Sequence, residues 1–229
     1  MIVDKKEFGL GVVLFIAFWA VFVVLLSPVF EGKNLLDYMD NLYNTISKKS
    51  SYYIPAVKKK AAEFKGQQVE FSVQAKDADQ AARMAKLFEA AKATAIVEGK
   101  SVKISGDMGM IFDNVLADTD AMFNNNGQAI NQNKYGYDEK KVMYDWWNAM
   151  KSAEANMNKE GKFKEGKVFY QIMTKAIEPS YNYYGIVATD IKEKVVMVVI
   201  SLAGYVIYTM WYGFAILFMF EGWGMKLEH

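Results

Sequence analysis

Between Phe8 and Phe30, and again between Val195 and Phe220, the chain carries no charged side chain. As helices these runs would measure about 34 and 39 Å, against a bilayer hydrocarbon core of roughly 30 Å. Backbone polar groups find no partners in lipid, so an apolar run of that length must be helical there. The pattern predicts a membrane protein with two transmembrane helices, N- and C-terminal, flanking one extramembrane domain.

An overall hydrophobic content of 52% hides this division. The stretch between the runs holds 24 of the 27 Lys/Arg and 22 of the 26 Asp/Glu residues. That balance leaves no basic footprint of the kind a polyanion needs, so nucleic acid is not an expected partner. At about 164 residues the stretch is long enough for one domain with its own core.

The expected organisation is a cytoplasmic flank over 1–7, a first transmembrane helix over 8–30 and an extracytoplasmic domain over 31–194. A second transmembrane helix over 195–220 and a short cytoplasmic tail over 221–229 complete it. The first run is about twice as long as the apolar part of a signal peptide, and Leu26-Ser27-Pro28-Val29-Phe30 offers no small-x-small cleavage site, so an uncleaved anchor is expected. Lys5 and Lys6 favour a cytoplasmic N-terminus and hence a domain outside the inner (plasma) membrane. Lys33, Lys192 and Lys194 on the other side weaken that asymmetry without reversing it, because long loops translocate largely regardless of charge. Leu227-Glu228-His229 reads as a tag scar, which makes His229, the one histidine, foreign to the native chain.

With no cysteine and no native histidine, Ser-His-Asp triads, Cys-His pairs, typical zinc sites, thioether-linked haem and iron–sulfur clusters all lack their ligands. Walker A, dinucleotide Gly-rich, HExxH, EF-hand and G-x-S-x-G signatures are missing too. No catalytic residue, metal site or cofactor is therefore expected.

Inside the domain the period of apolar residues changes repeatedly. Leu35, Met39, Leu42 and Ile46 recur at helical spacing, as do Ile54, Val57, Ala61 and Phe64 after a turn placed at Lys48-Lys49-Ser50-Ser51. Val69, Phe71 and Val73 alternate with polar residues as in a half-buried strand. Asp77 and Gln80 resemble a capping box opening a helix, and Thr94–Val97 with Ser101–Ser105 form a hairpin around Glu98-Gly99-Lys100. Asp107 and Asp138 each open a further helix, separated by an amide-rich tract over 124–133. Gly161 and Gly166 bracket a break, and Pro179 is expected to end the helix that follows. The result is a mainly α-helical α+β domain with one small sheet.

Four constellations stand out. Ser201, Tyr205, Tyr208 and Tyr212 share one face of the second apolar run, with Gly204 and Gly213 nearby to allow close approach. That face suits either packing on the first run or contact with another copy or protein. Trp147, Tyr170, Tyr181, Tyr183 and Tyr184 offer recognition area with hydrogen-bonding tips, with Tyr181 to Tyr184 suited to a membrane-proximal interface, while Trp146 falls on an apolar stripe and reads as core. Asp113, Asp118 and Asp120 beside Asn124 and Asn126 have calcium-type ligand chemistry in the wrong spacing, so a solvated helix face is expected. Lys48, Lys49 and Lys58-Lys59-Lys60 likewise read as a solvated face more readily than as a lipid-phosphate site.

The resulting expectation is a non-enzymatic integral membrane protein whose partners are the lipid bilayer and either further copies of itself or another membrane protein, as a homo-oligomer or accessory subunit. A receptor region truncated before its output domain, an oligomeric pore and a carboxylate-type anchored enzyme are the alternatives.

Overall fold

The computed structural model describes residues 2–225; Met1 and residues 226–229, with the tag-like 227–229, lie outside the described residues. The chain forms two compact units, one of Met1–Ile46 with Ala188–His229 and one of Ser47–Val187.

The first unit is built on α1 (Lys5–Leu26), α2 (Leu35–Ser50), which continues into the second unit, and α9 (Ile191–Gly222). Asp4 caps α1 by accepting from the Lys6 and Glu7 amides, and Asp190 caps α9 through the Lys192 amide. Helix α1 stops at Leu26, short of the charge-free run's end at Phe30. The cause is Pro28, which restricts Ser27 to extended backbone, here φ −81° and ψ 156°. Phe30 and Lys33 then pair across Glu31 and Gly32, both at positive φ (53° and 78°), in a tight two-residue turn.

Helices α1 and α9 run antiparallel. Phe8 lies beside Gly222 and Trp223, Gly11 beside Ala215 and Met219, and Phe18 beside Tyr208. Both are long and apolar enough to cross a membrane. Only Gly11 and Phe18 of α1 and Ala215 and Gly222 of α9 are fully buried; the remaining residues of both helices are half-buried or exposed.

The second unit is mainly helical with one three-stranded sheet. It comprises α3 (Ile54–Ala61), β1 (Gln68–Gln74), α4 (Ala78–Ala90), β2 (Thr94–Glu98), β3 (Ser101–Asp107), α5 (Met108–Phe123), α6 (Glu139–Lys159), α7 (Phe163–Ile172) and α8 (Glu178–Asn182). Strand β3 lies in the middle and is antiparallel to both neighbours, in the order β1-β3-β2. Val69, Phe71 and Val73 face Val102 and Ile104 on the buried side. Phe88 meets Trp146 at 5.3 Å between ring centres, and Phe112 meets Phe169 at 4.9 Å, which ties the helices over that face. Asp77, Asp107 and Asp138 each cap a helix as their positions indicate, accepting from the amides of Gln80, Met110 and Lys141.

Three local expectations fail for identifiable reasons. Lys48 and Lys49 lie inside α2 rather than in a turn, which falls at Ser51–Tyr53 instead. Gly161, at φ 75°, does end α6, but Gly166 lies within α7, where any Cβ would strike Asn158 of α6. Pro179 does not end a helix. A π turn over Met173–Ile177 connects α7 to α8, which carries Pro179 in its first turn. The wide turn accommodates a ring that has no N–H and would clash with the carbonyl four residues earlier.

Candidate functional site

The hydroxyl-bearing face of α9 is divided among different neighbours. The Ser201 hydroxyl donates to the Val198 carbonyl at 2.8 Å, so the Tyr43 hydroxyl is the donor in the 2.7 Å bond between Tyr43 and Ser201. Tyr208 stacks on Phe18 at 4.3 Å, and Tyr212 packs 5.1 Å from the same ring. The Tyr208 hydroxyl is buried and meets no hydrogen-bond partner among the described residues. Tyr205 is 68% exposed.

Within the chain, α1 and α9 approach closely at Gly11 and Gly222. A Cβ on Gly11 would lie 2.7 Å from the Met219 amide nitrogen, and one on Gly222 would strike the backbone of Phe8. Gly204 and Gly213 have no neighbour within 4 Å of that position, so that part of α9 is bare. Beside it a cavity of about 1040 Å³ opens between the end of α1, the start of α2 and α9. Phe22, Leu26, Leu35, Met39, Met197 and Tyr205 are among its mostly apolar walls.

The aromatic group of the second unit is spread out. Trp147 donates from Nε1 to Glu178 at 2.9 Å with the Lys151 ammonium over its ring at 4.8 Å, and Tyr184 donates to Glu139 at 3.0 Å. The Asn131 amide and the Tyr184 hydroxyl both bind Glu139, the amide more strongly, and they hold its carboxyl below the usual range. Tyr181 is 41% exposed, with Lys140 over its ring. The Tyr183 carbonyl turns inward to the Lys48 ammonium.

Neither Asp118 nor Asp120 is a solvated helix residue. Asp118 is 3% exposed and accepts from the Lys134 ammonium at 2.6 Å, the Tyr135 hydroxyl at 2.7 Å and Trp146 Nε1 at 2.9 Å. Asp120, on another side of α5, accepts from Lys58 and Tyr52, both at 2.7 Å. Burial alone would raise the Asp120 pKa, but the Lys58 and Tyr52 hydrogen bonds and the Lys58 charge outweigh it and hold it below the usual range. Burial, then the Asp118 charge, raises the Tyr135 hydroxyl far above its ordinary value and keeps it a donor. Among the described residues no three Asp, Glu, His or Cys side chains gather as a metal site.

A second buried carboxylate escapes sequence reading. Asp145 is fully buried and receives Arg83 Nε and Gln80 Nε2, each at 2.8 Å. Its position three residues after Val142 and four before Ala149 puts it on the apolar stripe of α6, which is the signal that could have exposed it. Burial raises the pKa of neighbouring Tyr137, and the Asp145 charge adds to that effect.

Lys48, expected on a solvated face, is 2% exposed. Its ammonium donates to Asn125 Oδ1 at 3.0 Å, the Tyr183 carbonyl at 3.0 Å and the Ile186 carbonyl at 2.6 Å, and lies 5.1 Å from the Phe123 ring centre. Burial pushes its pKa below the ordinary value. Asn125, at φ 61°, also accepts from the Gly185 amide and donates to the Ile186 carbonyl. Asn125 thus clasps the Lys48 ammonium to the chain at Gly185 and Ile186.

No family model, no curated protein and no solved structure matches this chain.

Proposed function

We propose that this chain is a non-catalytic integral membrane protein, crossing the inner (plasma) membrane with α1 and α9 and carrying the Ser47–Val187 unit outside the cytoplasm. There it recognises a protein or small ligand, as a homo-oligomer or as an accessory subunit of a membrane complex.

The observation that carries this reading is the uncovered surface of α1 and α9. A core helix of a water-soluble protein would be mostly buried, whereas in these two only Gly11, Phe18, Ala215 and Gly222 are. An apolar surface of this extent needs a solvent that is itself apolar. Tyr205 and the bare Gly204 border an open side of α9 with room for another helix, and small residues are where such helices approach. The non-catalytic part rests on Asp118, Asp120 and Asp145, whose oxygens are taken up by ammonium, guanidinium, hydroxyl, indole or amide donors.

Washing membranes with alkaline carbonate tests the anchoring: the full chain should stay in the pellet, and its release would overturn it. Tyr144, 53% exposed, is the probe of sidedness. A Tyr144→Cys variant should react with a membrane-impermeant maleimide in intact cells, and reaction only after permeabilisation would reverse the orientation. For assembly, native mass measurement in lipid nanodiscs should show more than one chain; bare monomer with no cross-linked partner would refute it.

A further inference from the structure

The two edges of the sheet are treated differently. The outer edge of β1 is covered by α6, whose Asn156 amide donates to the Ser72 carbonyl at 2.8 Å and whose Ser152 hydroxyl accepts from the Gln74 amide at 3.5 Å. The outer edge of β2 has no such cover. The Ala75 amide donates to the Lys100 carbonyl, which fixes the parity of the ladder: even-numbered residues of β3 bond to β1 and odd-numbered ones to β2. Thr94, Ile96 and Glu98 therefore bond inward to β3, and the N–H and C=O groups of Ala95 and Val97 point outward. None of these four groups has a hydrogen-bond partner among the described residues. Flanking them, Ile96 is 55% and Val97 44% exposed.

Exposed edges normally carry a lysine, a proline or a bulge that discourages another strand from joining. Thr94-Ala95-Ile96-Val97-Glu98 has none of these, and its one charge sits at the end, 3.0 Å from Lys103. We propose that β2 pairs edge to edge with β2 of a second copy of this chain, antiparallel about Ile96, joining two three-stranded sheets into one of six.

The occupant follows from register. Groups that point outward exchange hydrogen bonds in antiparallel pairs, so Ala95 matches Val97 of the other copy and Val97 matches its Ala95, using all four free groups. The two-fold axis then passes between the two Ile96 residues, a close pair in which β-branched side chains pack well. Glu98 falls opposite Thr94, so no like charges face each other. Five residues per copy bury much less than the roughly 1,200 Å² of a stable interface, so pairing requires tethering. The clause on tethering rests on the membrane anchoring proposed above, because two chains in one bilayer meet at effective concentrations near the millimolar range.

The chain has no cysteine, so single thiols can be placed at will. In the proposed register the two residues 96 lie about 4.5 Å apart between Cα atoms, inside the range of roughly 4.4–6.8 Å that a disulfide bridges. The two residues 94 are offset by four positions, about 13 Å, and cannot be bridged. Full-length Ile96→Cys in membranes under mild oxidation should yield disulfide-linked dimer about tenfold or more above Thr94→Cys, as tethered, register-specific pairing requires. Adding Val97→Pro removes an outward N–H without touching the ladder to β3, and should bring the Ile96→Cys yield down to the Thr94→Cys level. Equal yields from the two cysteine variants, or a yield indifferent to Val97→Pro, overturn the pairing. Carbonate extraction of the same samples separates the cases: chain retained without dimer refutes the edge pairing alone, and chain released refutes the anchoring.

Discussion

Replacing Arg83 by methionine should strip a buried carboxylate of its counter-charge at a measurable cost in stability. Asp145 has no exposed side-chain surface, and its charge is balanced by Arg83 Nε at 2.8 Å, with a second, weaker contact from Nη2 at 3.5 Å. Without Arg83 the carboxylate keeps the neutral Gln80 amide at 2.8 Å and no cation in contact among the described residues. Removing one partner of a buried pair costs about 3–5 kcal/mol, because the other charge stays in a poorly polarisable interior. Arg83 is itself 31% exposed and Gln80 persists, which places the loss near ~3 kcal/mol. For a unit of this size that is a fall of about 10 °C in Tm. Thermal unfolding in detergent, followed by circular dichroism, reads it directly. The companion double variant R83M/D145N removes the buried charge while keeping an oxygen for Gln80, and should recover more than half of the loss. A midpoint for R83M within about 3 °C of wild type, or no recovery in the double variant, would show that the Asp145 charge is not what Arg83 compensates.

Gly11→Leu and Gly222→Leu should separate α1 from α9, abolishing cross-linking of Leu14→Cys to Trp211→Cys by a short bis-maleimide, while Gly204→Leu and Gly213→Leu leave it intact; the opposite ranking would mean the helices cross elsewhere. Asp120 has a depressed folded pKa, so its stabilisation is present above the unfolded value near 3.8 and is lost as pH falls through the folded one. Acid titration should therefore be shallower below pH 4 in Asp120→Asn, and superimposable profiles would count against the Lys58 pair. Lys48 also has a depressed folded pKa, but as a cation it destabilises until it deprotonates, so the stability of wild type relative to Lys48→Met should rise as pH climbs towards 10.5. A difference that is flat from pH 7 to 10 in chemical denaturation would contradict this. Asn125→Gly keeps the left-handed backbone but drops three hydrogen bonds, and should cost about 1–3 kcal/mol by urea unfolding.

Much of the local architecture was legible because it depends on neighbours in sequence. Asp77, Asp107 and Asp138 announce helix starts through their short acceptor side chains, and the alternation of Val69, Phe71 and Val73 announces a strand. The errors arose where a residue's partner lies far along the chain. Pro179 follows a π turn that relieves its clash, so a rule about the residue alone misplaced the helix end. Lys48 looked solvated because its acceptors are 77, 135 and 138 residues away.

The same division holds for the candidate sites. Charge-free length alone specified two helices apolar enough for a bilayer, because hydrophobic length needs no tertiary partner to be read. Which glycines touch could not be read this way: Gly11, Gly204, Gly213 and Gly222 are equivalent in sequence, and only the crossing of α1 and α9 distinguishes them. Asp118 and Asp145 are closed in by Trp146, Tyr135, Arg83 and Gln80, which lie on other segments of the chain. The two edges of the sheet likewise differ only in tertiary structure, where α6 covers that of β1. Composition and period determine what each segment can be, whereas desolvation of charges and pairing of backbone groups depend on what arrives from a distance.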